Sequence, residues 1–210
     1  MVETNELFSV DVEFLKPLFS SCKYPWQILD ELGDFIKNMQ KCMPLGFVEI
    51  SSGVFVGKNV KIDTGARILP PAIICDGTEI RQGAFIRGGV IIGRDCVIGN
   101  STELKNCILL DHVQAPHYNY VGDSILGNGA HLGAGAICSN LKGDGSQVVI
   151  HAEREHETNR RKVGAFVADG VEVGCSCVLN PGCVLCRGCR AYPLLSLRGV
   201  FPKDTLIKRA

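Results

Sequence analysis

Large aliphatic residues recur at every sixth position through the middle of this chain: Ile50, Val56, Ile62, Ile68, Ile74, Ile80, Ile86, Ile92, Ile98, Leu104 and Leu110. A second, mostly small stripe follows four residues behind, reading Val54, Val60, Ala66, Ala72, Thr78, Ala84, Val90, Cys96, Thr102 and Ile108. A helix repeats its faces every 3.6 residues and a strand every two, so neither alone produces a period of six. A solenoid of very short strands joined by tight turns does. The large aliphatic fills its interior, and the small residue lets the chain turn a corner. Glycines such as Gly65, Gly77 and Gly83 fall in the predicted turns, where positive φ is useful.

The period breaks twice. After Leu110 the next interval is ten, to Tyr120, followed by Leu126, Leu132 and Cys138. A polar stretch over 141–162 then intervenes before Val167, Val173, Leu179 and Leu185 restore the spacing. These breaks predict loops near 111–119 and 141–162, the places in a regular solenoid where function concentrates. Residues 1–49 lack the repeat. Trp26, Ile28, Leu29, Leu32, Phe35, Ile36 and Met39 fall at helical spacing behind Pro25, which predicts two short helices capping the first coil. The predicted fold is an all-β solenoid with a helical cap over 1–49 and a β-helix over 50–190. A closing segment over 191–210 is expected to fold back after Tyr192-Pro193.

Composition narrows the partners. Lys and Arg total 22 against 22 Asp and Glu, and a neutral chain lacks the concentrated basic charge that captures nucleic acid or an anionic membrane surface. No apolar run has the length of a bilayer span or of a signal sequence, so a cytoplasmic location without membrane insertion is expected. Eleven cysteines in an unexported chain read as reduced thiols. Cys183, Cys186 and Cys189 have the spacing of metal ligands. Cys177, Cys183 and Cys189, however, all fall in the small stripe with Cys96, where cysteine serves as a small buried residue. The expectation is no metal.

Phe85-Ile-Arg87, Gly99-Asn-Ser-Thr-Glu-Leu-Lys105, His117-Tyr-Asn-Tyr-Val-Gly-Asp123 and Leu132-Gly-Ala-Gly135 leading to Asn140 occur in this order. With the hexapeptides they resemble the left-handed parallel β-helix acyltransferases. More closely, they resemble the acetyltransferase half of the bifunctional UDP-N-acetylglucosamine pyrophosphorylase/glucosamine-1-phosphate N-acetyltransferase. The resemblance covers roughly 50–202, with no counterpart to the pyrophosphorylase's glycine-rich loop, so no nucleotidyl transfer is expected.

Arg87 and Lys105, 18 residues apart, stack on one face if a coil is about 18 residues long, and two such cations repel unless an anion lies between them. A sugar 1-phosphate supplies one. The other reading is solvated surface charge paired with Glu103, which is itself counted among the candidate substrate-binding residues. The resemblance implies His117 as general base, which suits an imidazole near neutral pH. It also implies the Ala134 backbone as oxyanion donor and Cys175 as an acetyl-CoA contact. Tyr120 is read as inward-pointing, with packing as its plain role and contact to the sugar phosphate as its implied one. Asn140 has opening the 141–162 loop as its plain role and orienting the amino sugar as its implied one, and His131 stands where the family carries an asparagine for the same sugar. Acetyl-CoA is the implied co-substrate and a homotrimer the implied assembly, with a separate nucleotidyltransferase as a possible partner. Two other readings stay open: a non-catalytic sugar-nucleotide-binding or assembly module, and an acyltransferase with a different acceptor.

Overall fold

The computed structural model describes residues 2–209 and forms a parallel β-helix. Three sheets, parallel apart from one edge strand, build a prism. The first has nine strands, the second eight and the third seven, and successive strands visit the three in turn. Parallel partners lie one coil apart, as in Val54↔Ala72 and Ile74↔Ile92. Inward side chains form the core: Ile74, Ile80, Ile86, Ile92, Ile98, Leu104, Leu132 and Leu179 are all buried. Among the described residues no helix is long and apolar enough to cross a membrane.

The solenoid departs from the six-residue reading in four places. Ile50 belongs to Val48–Ser51, an antiparallel edge strand with its residues exposed, so the inward stripe begins at Val56. Residues 111–119 form no loop. Leu104 pairs with Val121 and Leu109 with Leu126, so each of these coils is one residue short. The inward residues are then Leu109, Ala115, Val121 and Leu126, and Tyr120 points outward. Two single-residue contractions at tight corners, where Asn106 and Asp123 take φ of 47°, look like one long gap when only large aliphatics are counted. Beyond residue 190 the coil simply continues. Arg190–Ala191, Ser196–Leu197, Val200–Phe201 and Leu206–Ile207 each extend a sheet, because Ala191, Leu197 and Ile207 keep the inward spacing.

The fourth departure concerns the N-terminal segment. It contains α1 (Thr4–Leu7), a 3-10 turn (Glu13–Leu15), α2 (Lys16–Ser21) and α3 (Pro25–Met39). These elements lie along the first sheet instead of capping the first coil. Trp26 packs on Phe166 with ring centroids 6.2 Å apart, while Gln40, at the other end of α3, donates to Gly53 O at 2.8 Å. Fifteen helical residues span about 22 Å, close to the roughly 24 Å from the strand holding Val54 to the one holding Phe166. The physical reason is an outward apolar column on this sheet alone. Ile73, Ile91, Ile108, Ile125, Phe166 and Val184 are all buried although they point away from the solenoid interior, and only a covering layer removes them from water. The insertion after Cys138 forms one hairpin, Val149–His151 with Glu155–Glu157. It is pinned to the helical layer by His156 against Tyr24 and by Arg154 donating to Tyr24 Oη at 3.1 Å.

Candidate active site

The corner between the second and third sheets carries a backbone ladder. Tyr118 N–H donates to Asn100 O (2.8 Å), Gly135 N–H to His117 O (3.0 Å), Ser176 N–H to Ala134 O (2.8 Å) and Leu194 N–H to Cys175 O (2.9 Å). These bonds place His117, Ala134 and Cys175 at the same position of three successive coils. Glycine precedes Asn100, Ala134 and Cys175 in this ladder for a steric reason. A Cβ on Gly99 would lie 1.6 Å from Pro116 O, and one on Gly133 would lie 2.6 Å from Cys175 N. Buried Asn119 fastens the His117 corner to the next coil. Its Nδ2 donates to Gly133 O at 2.8 Å and Ala136 O at 3.2 Å, while its Oδ1 accepts from His117 N–H at 3.2 Å. His117 itself is exposed.

At this corner the Ala134 amide and the Cys175 amide one coil on both lack a hydrogen-bond partner among the described residues, unlike amides at another corner of the coil. At the corner between the first and second sheets, Arg94 N–H donates to Asp111 Oδ1 (2.7 Å) and Asn128 N–H to Asp169 Oδ1 (2.9 Å). The next coil supplies the acceptor in both cases. Above Ala134 the next coil supplies Cys175, and among the described residues the Ala134 N–H has no hydrogen-bond partner. An unpaired amide next to an exposed imidazole can donate to an oxyanion.

The third sheet carries the charged groups. Phe85, Glu103 and Tyr120 are register partners, which puts Arg87 and Lys105 at equivalent positions of adjacent coils. Both have carboxylate partners. Arg87 Nη1 lies 2.7 Å from Glu103 Oε1, and Lys105 Nζ lies 3.7 Å from Asp123 Oδ2. The two cations therefore sit one strand apart without needing an anion between them. Glu103 also raises the Arg87 guanidinium above its ordinary value. Asn140 Nδ2 donates to Tyr120 Oη at 3.3 Å and to Asp123 Oδ2 at 2.5 Å. Burial first, then the Asp123 and Glu103 charges, push the Tyr120 phenol up, so it stays protonated near neutral pH and remains a hydrogen-bond donor.

Arg87, Glu103, Lys105, Tyr120 and Asn140 thus fall into one polar network, with the His117–Ala134–Cys175 column along its edge. His131 does not join it. It lies on the second sheet beside Gln114, with Nδ1 2.9 Å from Glu172 Oε2. Asp123 was not singled out from the sequence, yet it is the hub. It is buried, accepts from Asn106 Nδ2 at 2.7 Å, and has Arg160 Nη2 3.9 Å away. Its signal lay within the quoted motif, as the motif's carboxylate one shortened coil after Asn106.

The stripe cysteines pack as small donors. Cys96 Sγ donates to Leu110 O (3.0 Å), Cys177 Sγ to Tyr192 O (3.1 Å) and Cys189 Sγ to Pro202 O (2.9 Å). Among the described residues no group of three or more His, Cys, Asp or Glu is arranged to hold a metal ion.

Fold and site together define a hexapeptide-repeat, left-handed parallel β-helix with a polar site at one corner. Within that class, the chain belongs to the GMPPB C-terminal domain family, whose profile matches residues 68–187. It is 29% identical over 188 residues to the "Bifunctional protein GlmU" of Methanococcus vannielii, covering 87% of this chain and 44% of that one. It is 30% identical over 174 residues to the "Bifunctional sugar-1-phosphate nucleotidylyltransferase/acetyltransferase" of Sulfurisphaera tokodaii, covering 80% and 43%. The chain therefore spans less than half the length of these relatives. A solved hexapeptide transferase family protein from Anaplasma phagocytophilum is 18% identical with a TM-score of 0.39, covering 63% of this chain and 70% of that one.

Proposed function

We propose that the chain is an acetyl-CoA-dependent N-acetyltransferase for an amino-sugar phosphate, with glucosamine 1-phosphate as acceptor. The observation that carries this reading is the junction of two features. A polar network in which Arg87 and Lys105 are paired with Glu103 and Asp123 adjoins a corner where exposed His117 neighbours the unpaired Ala134 amide. In the proposed reaction the phosphate is held by Arg87 and Lys105, while Tyr120 and Asn140 position the sugar. The amine attacks the thioester carbonyl as His117 takes its proton. The Ala134 N–H donates to the carbonyl oxygen as negative charge develops there, and the C–S bond then breaks to release CoA thiolate. Transfer is direct, without an acyl-enzyme. Cys175, one coil beyond Ala134, borders the path of the CoA arm. The names of the relatives, one of them a sugar-1-phosphate nucleotidylyltransferase/acetyltransferase, support the choice of reaction. The proposed assembly is a cytoplasmic homotrimer without nucleotidyltransferase activity of its own.

Purified protein incubated with acetyl-CoA and glucosamine 1-phosphate tests this reading. Liberated CoA is followed by chromatography, because exposed Cys42 and Cys175 would themselves react with thiol reagents. Turnover that falls by about 10²-fold or more in His117→Ala is the expected result for loss of a general base. A folded protein inert toward a panel of amino-sugar phosphates overturns it. Turnover of another acceptor would keep the acyltransferase and discard the sugar.

A further inference from the structure

Asp123 is the one buried carboxylate of the network and has two cationic neighbours at nearly equal distance. Lys105 Nζ is 3.7 Å from Oδ2 and Arg160 Nη2 is 3.9 Å from Oδ1. Neither contact has hydrogen-bond length, so neither cation is firmly committed. Lys105 is the one the proposed reaction requires for the phosphate. If it swings away, Asp123 would become a buried charge facing only amides, a costly state. Arg160 prevents that. It comes from the irregular segment that follows the hairpin's second strand, its Nε donates to Lys162 O at 3.3 Å, and its Nη1 is paired with Asp30 of α3. Thr158 fixes the approach by accepting from the Arg160 N–H at 3.2 Å and donating to Val148 O at 2.6 Å.

We propose that Arg160, anchored by Asp30, is a positioning residue that neutralises Asp123 so that Lys105 is released to bind the acceptor's phosphate. The proposal rests on the acetyltransferase reading for what Lys105 binds, but the charge exchange is a property of this chain alone. It gives the insertion and the helical layer a task at the site: they bring a substitute cation to a carboxylate that the coil itself has already paired. Without Arg160, Asp123 holds Lys105 more tightly and the phosphate competes poorly.

The test uses the full chain as wild type, Arg160→Gln, Arg160→Lys, Asp123→Asn and the double variant Arg160→Gln/Asp123→Asn. Two readouts are taken: KM for glucosamine 1-phosphate against KM for acetyl-CoA, and the labelling rate of Lys105 by an amine-reactive acetyl ester, mapped by peptide mass spectrometry. Arg160→Gln is expected to raise the acceptor KM about ten-fold while the acetyl-CoA KM stays within about two-fold, as loss of one charge-assisted partner predicts. It should also slow Lys105 labelling by roughly three-fold, since a tighter carboxylate contact leaves the amine less available to the ester. Arg160→Lys should retain most of both properties. The decisive result is the double variant: with the carboxylate gone, Lys105 labelling and the acceptor KM should recover toward wild type from the Arg160→Gln values. A merely structural Arg160 would give no recovery, and a wild-type labelling rate in Arg160→Gln would overturn the exchange. If the wild type acetylates no acceptor, the acetyltransferase reading fails, and the labelling series still decides the exchange.

Discussion

Gly99 shows how closely single residues are constrained in this coil. Its φ is ordinary, so the constraint is space: a Cβ would sit 1.6 Å from Pro116 O, which is backbone of the next coil and cannot yield. Gly99→Ala is expected to cost about 3 kcal/mol or more and to disturb the His117 corner directly above it. Urea denaturation and an activity assay on the same preparation check this, and wild-type stability would contradict the close approach. The buried thiols lead to a pH prediction. Burial pushes Cys96 and Cys138 up to about 12 and also raises Cys75, Cys107 and Cys183. An unfolded chain loses these protons near pH 9, whereas the folded chain keeps them. The folded state therefore binds more protons between about pH 9 and 12, and stability falls as pH rises through that window, by up to about 1.4 kcal/mol per unit per thiol. Denaturation midpoints at pH 8 and pH 10 measure the slope. Cys96→Ala should make it shallower, and an unchanged slope would remove Cys96 from the account.

Among the elements, α3 is held to the solenoid most visibly by Trp26. The indole stacks on Tyr24 at 4.6 Å and also contacts Phe166 and the His156 ring of the hairpin. Trp26→Ala should destabilise the protein by about 3–5 kcal/mol. It should also raise hydrogen exchange in 148–158, because the hairpin rests on this aromatic cluster. Exchange confined to the helix would mean that the hairpin is held by other contacts. The covering role of the helices is encoded in the sequence by a pattern distinct from the six-residue period. Ala72-Ile-Ile74, Val90-Ile-Ile92, Cys107-Ile-Leu109, Ala165-Phe-Val167 and Cys183-Val-Leu185 are runs of three apolar residues in which a bare solenoid needs only the first and third inward. The middle residue, recurring about once per coil, marks the covered face. The site was legible in proportion to its locality. Arg87 and Lys105 follow inward aliphatics and were readable from the period. The two shortened coils hid that Tyr120 faces outward beside Glu103. Arg160 reaches Asp123 from 37 positions away through an irregular insertion, and no periodicity encodes such a contact.

At the scale of the whole molecule, one chain does not gather all the residues assigned to the acceptor. Tyr120, Arg87 and Asn140 lie on the third sheet, and His131 lies on the second, tied to Glu172. The corner between those sheets exposes apolar side chains, with Leu194 80% and Tyr118 65% accessible. If His131 serves the same acceptor, it must come from a neighbouring copy whose second sheet faces this third sheet, as the proposed trimer allows. Subunit mixing tests this. Arg87→Ala and His131→Ala homotrimers are each expected to be nearly inactive. When the two are unfolded together in equal amounts and refolded, a site needing Arg87 from one copy and His131 from the next is intact in about one case in four. About a quarter of wild-type activity should therefore return. If both residues act within one chain, every mixed site keeps one lesion and no activity returns. If His131→Ala alone is fully active, His131 has no part in the acceptor site, and its pairing with Glu172 is a surface contact of the second sheet.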